Sequence, residues 1–112
     1  MLSKNLRMKS SSQFDYIFKK GNTLKNNKLL IFYSKSKTNS PKIGIVVSKK
    51  IGKSTVRNKV KRRLREAILA NINILNKNYN YIFVARCGIE NLKYSEILSI
   101  ITSLIKKSEV YV

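Results

Sequence analysis

Apolar side chains recur along this chain in two rhythms, one helical and one extended. Phe14, Ile17 and Phe18 fall on one helical face after Ser10-Ser11-Ser12, which offer helix caps, and Gly21 closes the segment as a C-cap. The polar run Asn22 to Lys28 reads as a loop. Leu29-Leu30-Ile31-Phe32-Tyr33 has the length and composition of a strand. Lys35 to Pro41, rich in Ser, Asn and Lys, reads as a hairpin connection into a second strand, Lys42 to Ser48. From about Thr55 the rhythm lengthens. Val56, Val60, Leu64, Ala67, Ile68, Ile72 and Leu75 share one broad face of a wheel drawn at about 100° per residue, which predicts a long helix over Thr55 to Leu75. Asn76 to Asn80 reads as a turn and Tyr81-Ile82-Phe83-Val84-Ala85 as another buried strand. Gly88 to Lys93 then leads into a last helix, where Tyr94, Ile97, Leu98, Ile101, Leu104 and Ile105 form a core-facing stripe.

The order helix, strand, strand, helix, strand, helix predicts a single α+β domain: a two-layer sandwich of one sheet with helices mainly on one face. The sheet face left uncovered is then a shallow groove. At 112 residues the chain can bury one core but not two, and its 43% apolar content is that of a folded protein. The N-terminal Met1–Arg7 stretch has no apolar core of signal-peptide length and no run approaches membrane-spanning length, so a soluble, cytoplasmic protein is expected.

Charge changes the picture. There are 24 lysines and arginines against five carboxylates, giving a formal net charge of +19. Internal ion pairs cannot neutralise that excess, so a polyanion must. Nine of the 24 cations lie between Lys49 and Arg65, where even spreading would place about four. Arg62, Asn58, Lys59 and Arg65 lie on the side of the helix away from its apolar stripe, whereas Arg57 falls near the apolar sector. In a first turn its side chain can leave along the edge of the surface the helix packs on, where it can meet a ligand. Glu66 is the only acid there, whereas a helix made merely soluble would carry interspersed opposite charges. A membrane-surface helix would show large aromatics on its apolar face, and Val, Leu, Ile and Ala stand there instead.

The candidate chemistry is mostly a set of exclusions. Gly52-Lys53-Ser54-Thr55 resembles the end of a phosphate loop, but the first glycine of that motif is replaced by Val47, and no strand ends in a magnesium-binding aspartate. What survives is an anion site at a helix N-terminus beside Lys53 and two hydroxyls. The chain has no histidine, and Asp15, Glu66, Glu90, Glu96 and Glu109 are scattered among different elements, so no acid–base pair or tight metal site is expected. Cys87 is alone and reads as a small half-buried residue at a strand end.

Lys49-Lys50-Ile51-Gly52 followed by Arg57-Asn58-Lys59-Val60-Lys61-Arg62 closely resembles the signature of the bacterial ribonuclease P protein component, K-K-x-G-x-x-x-x-R-N-[RK]-x-K-R, without a gap. Phe14-Asp15-Tyr16-Ile17-Phe18-Lys19-Lys20-Gly21 and Tyr81-Ile82-Phe83-Val84-Ala85-Arg86 resemble two further stretches of that family. The resemblance implies a mixed sheet of about four strands in a ribosomal S5 domain 2-like topology, with an unusual left-handed βαβ crossover through the basic helix. It implies a protein that binds a catalytic RNA and assists removal of the 5′ leader from precursor tRNA. The magnesium would be bound by the RNA rather than tightly by the protein, catalytic residues in the polypeptide would be absent, and neither a membrane nor a protein partner would be required. By position, Lys49, Lys50, Lys53, Arg57, Asn58, Lys59, Lys61, Arg62 and Arg65 would contact the RNA. Phe14, Phe18 and Phe32 would line the leader groove and Tyr111 would close it, with Tyr33 replacing Phe32 if the strand register slips by one. The alternative from another class is a ribosomal-protein-like RNA-binding module with no enzymatic association.

Overall fold

The computed structural model describes residues 4–38 and 40–112. Residues 1–3 and Asn39, which belongs to the stretch read as a hairpin connection, lie outside them; the strands on either side of that stretch are not neighbours in the sheet, so they do not form a hairpin. The described elements are α1 (Ser11–Lys20), β1 (Asn22–Lys25), β2 (Leu29–Lys35), β3 (Ile43–Val46), α2 (Ser54–Ala70), β4 (Tyr79–Ala85) and α3 (Tyr94–Lys106). The strands form one sheet in the order β1-β2-β4-β3. β2 lies antiparallel to both β1 and β4, and β3 lies parallel to β4. A parallel neighbour cannot be reached by a tight turn, and α2 supplies the crossover between β3 and β4. Among the described residues no helix is long and apolar enough to cross a membrane.

One sheet face carries Leu29, Ile31, Tyr33, Ile43, Tyr81, Phe83 and Ala85, buried with Val60, Leu64, Ala67 and Ile68 of α2 and Ile97, Ile101 and Ile105 of α3. Each such aliphatic side chain contributes about 1.5–3 kcal/mol when fully buried, and that sum is what opposes the self-repulsion of the net charge. Among the described elements, α1 is the helix that covers the other face. There Ile17 packs with Met8 and Ile82, and Phe14, Phe32, Val46 and Val84 border the cluster. Residues of β2, β4 and β3 thus line up across this face in rows: Leu30, Val84 and Val46, then Phe32, Ile82 and Gly44. A third row follows, in which Ser34 pairs with Asn80 and Asn80 Oδ1 accepts from the Lys42 amide at 2.9 Å. α1 crosses the middle row.

The structure corrects several expectations. The basic helix stops at Ala70 rather than Leu75. Asn71 is buried, its amide donates to the Ala67 carbonyl at 2.9 Å, and its Oδ1 accepts from the Thr102 hydroxyl at 2.9 Å. That side chain competes with the next helical turn and ties α2 to α3. Leu75 still reaches the core, but through a 3-10 turn over Ile72–Ile74. Asn22–Lys25, read as a loop, is an edge strand paired only to β2, and its exposed ends explain the polar pattern. β4 begins two residues early, at Tyr79, and β3 is confined to Ile43–Val46. Gly21 does follow α1, but with φ −80°, so left-handed geometry is not why glycine is there. A Cβ would sit 2.5 Å from the Ile17 carbonyl oxygen and 2.7 Å from that of Tyr33. Cys87 is exposed rather than half-buried, its thiol 3.8 Å from the Lys50 carbonyl oxygen.

Candidate nucleic-acid interface

The basic surface begins in a 3-10 turn over Lys49–Ile51, anchored by the buried Ile51. Gly52 follows with φ 154° and ψ −167°, a combination essentially reserved for glycine. This sharp exit swings Lys53 into the N-cap position of α2, where its carbonyl oxygen accepts from the Arg57 amide at 2.9 Å. Lys49, Lys50 and Lys53 are therefore gathered, exposed, at one end of the helix. Along α2, Asn58, Lys59 and Arg62 are exposed, whereas Arg57, Lys61 and Arg65 are half-buried. Those three are four residues apart and form a seam between the apolar stripe and solvent.

The seam keeps its charge for a partner. The Arg57 Nε is buried and has no hydrogen-bond partner among the described residues. Glu90 accepts from the Gly88 amide at 2.7 Å, Glu96 from the Lys93 amide at 3.0 Å and Glu109 from the Tyr79 hydroxyl at 3.0 Å. Three of the five carboxylates are thus engaged by neutral donors. Arg63 plays a different part: its guanidinium donates to the Leu92 carbonyl at 3.0 Å and fastens α2 to the loop before α3. Among the described residues no three His, Cys, Asp or Glu side chains are grouped to hold a metal ion.

The aromatic groove lies on the face that α1 leaves partly open. Phe14 and Phe18 have ring centroids 6.4 Å apart, and Phe18 meets Phe32 edge-on at 4.9 Å. Phe18 is 42% exposed, unusual for a phenylalanine with two aromatic neighbours. The register places Phe32, not Tyr33, on this face. Tyr33 is 5% exposed and packs edge-on against Tyr79 at 5.7 Å beneath the helices. Tyr111 does not join the trio. Its backbone bridges to Leu75, and the Val110 carbonyl and Val112 amide flank that bridge with bonds to Asn76 and Ile74. The rings brought into contact on this face are Phe14, Phe18 and Phe32.

The two halves meet at Phe14. Its ring lies against bare Gly44 backbone, where a Cβ would come within 2.6 Å of two ring atoms. Beside it a cleft of about 180 Å³ is lined by Arg7, Met8, Phe14, Gly44 and Arg65, so the cationic seam of α2 ends at the first aromatic of the groove. Arg7 and Gly44 were not singled out from the sequence. An isolated glycine inside an apolar strand was the available signal for Gly44, because it marks close approach; nothing in the sequence pointed to Arg7.

Comparison with known proteins agrees with this geometry. The family model for ribonuclease P matches residues 2–109. The ribonuclease P protein component of Clostridium botulinum strain 657 is 32% identical over 109 residues, covering 96% of this chain and 98% of the relative. That of Streptococcus pneumoniae strain Hungary19A-6 is 33% identical over 110 residues, covering 98% and 89%. The solved structure of the Staphylococcus aureus RNase P protein superposes with TM-score 0.87 at 27% identity, covering 97% of this chain and all of that one. The Thermotoga maritima RNase P protein superposes with TM-score 0.83 at 28% identity, covering 92% and 97%. Agreement of that quality extends over nearly the whole chain, so the mixed sheet and the β3–α2–β4 connection follow the path seen in those proteins. This chain belongs to the ribonuclease P protein family, the protein subunit of the ribonucleoprotein enzyme that cleaves precursor tRNA.

Proposed function

We propose that the surface built from Lys49, Lys50, Lys53, Arg57, Asn58, Lys59, Lys61, Arg62 and Arg65 holds the catalytic RNA, and that Phe14, Phe18 and Phe32 receive the single-stranded 5′ leader of precursor tRNA. The observation that carries this reading is the junction at Phe14, where the α2 seam runs into an open aromatic groove. A strand crossing it meets cations for its phosphates and ring faces for its bases, which favours unpaired RNA with little sequence preference. The polypeptide supplies no catalytic group. Its part is to offset phosphate repulsion between two RNAs, so that less magnesium, held by the RNA, suffices. Engaging six to ten phosphates would cost about 10³–10⁵ in affinity between 50 and 200 mM salt. The setting we propose is the bacterial cytoplasm, without membrane attachment or an obligatory protein partner.

The test is cleavage of a precursor tRNA by a bacterial catalytic RNA at low magnesium, with and without this protein. Strong stimulation, with tighter binding of the precursor than of leaderless tRNA, is the expected result. Tight RNA binding without stimulation or leader dependence would instead indicate a ribosomal-type RNA module and leave the three phenylalanines as ordinary packing.

A further inference from the structure

α1 divides its sheet face in two, and the flank away from the phenylalanine groove holds a larger cleft, about 600 Å³. Its floor is the polar third row of the sheet, Ser34, Asn80 and Lys42, one strand repeat beyond Phe32, Ile82 and Gly44. Its outer wall is formed by Lys35, Ser36, Lys37, Thr38 and Ser40, and its inner wall is α1, from which Tyr16 projects 59% exposed. Lys42 is held at the rim by donating to the Asn5 carbonyl. No carboxylate is among the described residues that line the cleft.

Three cations, several hydroxyls and the two amides of Gln13 and Asn80 around one exposed aromatic ring are a poor fit to an apolar ligand and a good one to a phosphorylated aromatic. The volume lies in the range of small-ligand pockets, roughly 300–1,000 Å³. We propose that this cleft is a second nucleotide site, taking a nucleoside phosphate whose base stacks on Tyr16 and whose phosphate is held by Lys35, Lys37 and Lys42. The same chemistry comes from a free nucleotide or from one unit of an RNA strand. Lysine suits it as a mobile point charge that follows a phosphate without demanding one geometry. The site is separate from the phenylalanine groove and does not depend on what that groove binds.

The experiment uses the full chain, isotopically labelled, and follows amide shifts on titration with inorganic phosphate, AMP and a single-stranded pentaadenylate. The expected result is saturable shifts at Tyr16, Ser34, Lys42 and Asn80 with AMP, and an affinity at least tenfold lower for a Lys35→Ala/Lys37→Ala variant. These exposed substitutions leave the core untouched, and circular dichroism checks that the variant is folded. Since the chain has no tryptophan, Tyr16→Trp adds a local reporter whose indole fluorescence a stacked base quenches. Pentaadenylate at least tenfold tighter than AMP assigns the site to an RNA strand, and equal affinities assign it to a free nucleotide. The proposal is overturned if the shifts fall only on α2 and the phenylalanine groove, if AMP leaves the indole fluorescence of the Tyr16→Trp variant unquenched and phosphate alone reproduces the shifts, or if the lysine variant binds AMP as tightly as the parent.

Discussion

Gly44→Ala is the smallest change that should separate the groove from the rest of the protein. The new methyl would stand 2.6 Å from Cε1 and Cζ of Phe14, closer than carbon atoms tolerate, while Ile82 is at a comfortable 3.7 Å. One partner must move, and the backbone of β3 is held by its parallel pairing to β4. The Phe14 ring therefore leaves its seat on the sheet. Overpacking of this kind costs about 1–3 kcal/mol, and the partial escape of a half-buried ring toward the small cleft puts the expected value near the lower end, about 1–2 kcal/mol, with loss of the Phe14–Phe18 contact included. In a domain of this size that lowers the melting temperature by roughly 4–12 °C. A base that stacks on an aromatic gains about 1–3 kcal/mol, so a displaced Phe14 should weaken precursor binding about tenfold and leave leaderless tRNA unaffected. The assays are urea unfolding of the protein and holoenzyme affinity for tRNA with and without leader. A double-mutant cycle makes the reasoning refutable: in a Phe14→Ala background the methyl has room, so Gly44→Ala should cost almost nothing there. Additive costs in the two backgrounds would show that the ring does not rest on Gly44, and the groove geometry would be wrong.

The same contacts predict the outcome of four further substitutions. Phe18→Ala removes a ring already 42% exposed, so it should cost about 1–2 kcal/mol of stability but about five-fold or more in leader-dependent affinity. A loss of about 3–5 kcal/mol on urea unfolding would make Phe18 core instead. Arg57→Ala deletes a buried donor that lacks a partner, so RNA affinity should fall while the melting temperature stays within a few degrees of the parent or rises. Arg62→Ala should reduce the slope of log affinity against log salt by about 0.7–0.9 for each phosphate it engages, measured by filter binding over a salt series. Burial raises the Tyr81 phenol above its ordinary value of 10.0, and the hydrogen bond it donates to the Asn76 carbonyl is one that only the protonated form can make. The folded state thus keeps a proton that the unfolded chain releases. That contribution is complete below about pH 10 and is lost as pH rises toward the folded-state value, at up to about 1.4 kcal/mol per pH unit. Urea midpoints between about pH 9 and 11 should fall more steeply for the parent than for Tyr81→Phe, and parallel curves would refute the assignment.

How much of this was readable beforehand depended on whether burial left a period in the chain. α2 and α3 each bury one stripe, so Val60, Leu64 and Ile68, and Ile97, Ile101 and Ile105, announced their helices. β2 is packed on both faces, under α2 and α3 on one side and under α1 on the other, and its unbroken apolar run carried no alternation to orient it. Phe32 and Tyr33 could not be told apart until β4 set the register, pairing Tyr33 with Tyr81 and Phe32 with Ile82. Tyr111 was hard to place from the sequence for a related reason. Carried over from a resemblance, it had no periodic neighbour to test it against, and the bridge to Leu75 takes it elsewhere. The basic surface was legible as composition, because charge need not be buried to be counted, but its division into an exposed set and a half-buried seam was not. That division rests on β3 being the sheet edge, which leaves Arg65 room to reach past it to Phe14. Ser34, Asn80 and Lys42 were the least visible of all. They come from β2, β4 and the approach to β3, and each is ordinary alone. Only the parallel pairing of β3 with β4, which no hairpin rule predicts, brings them into one row.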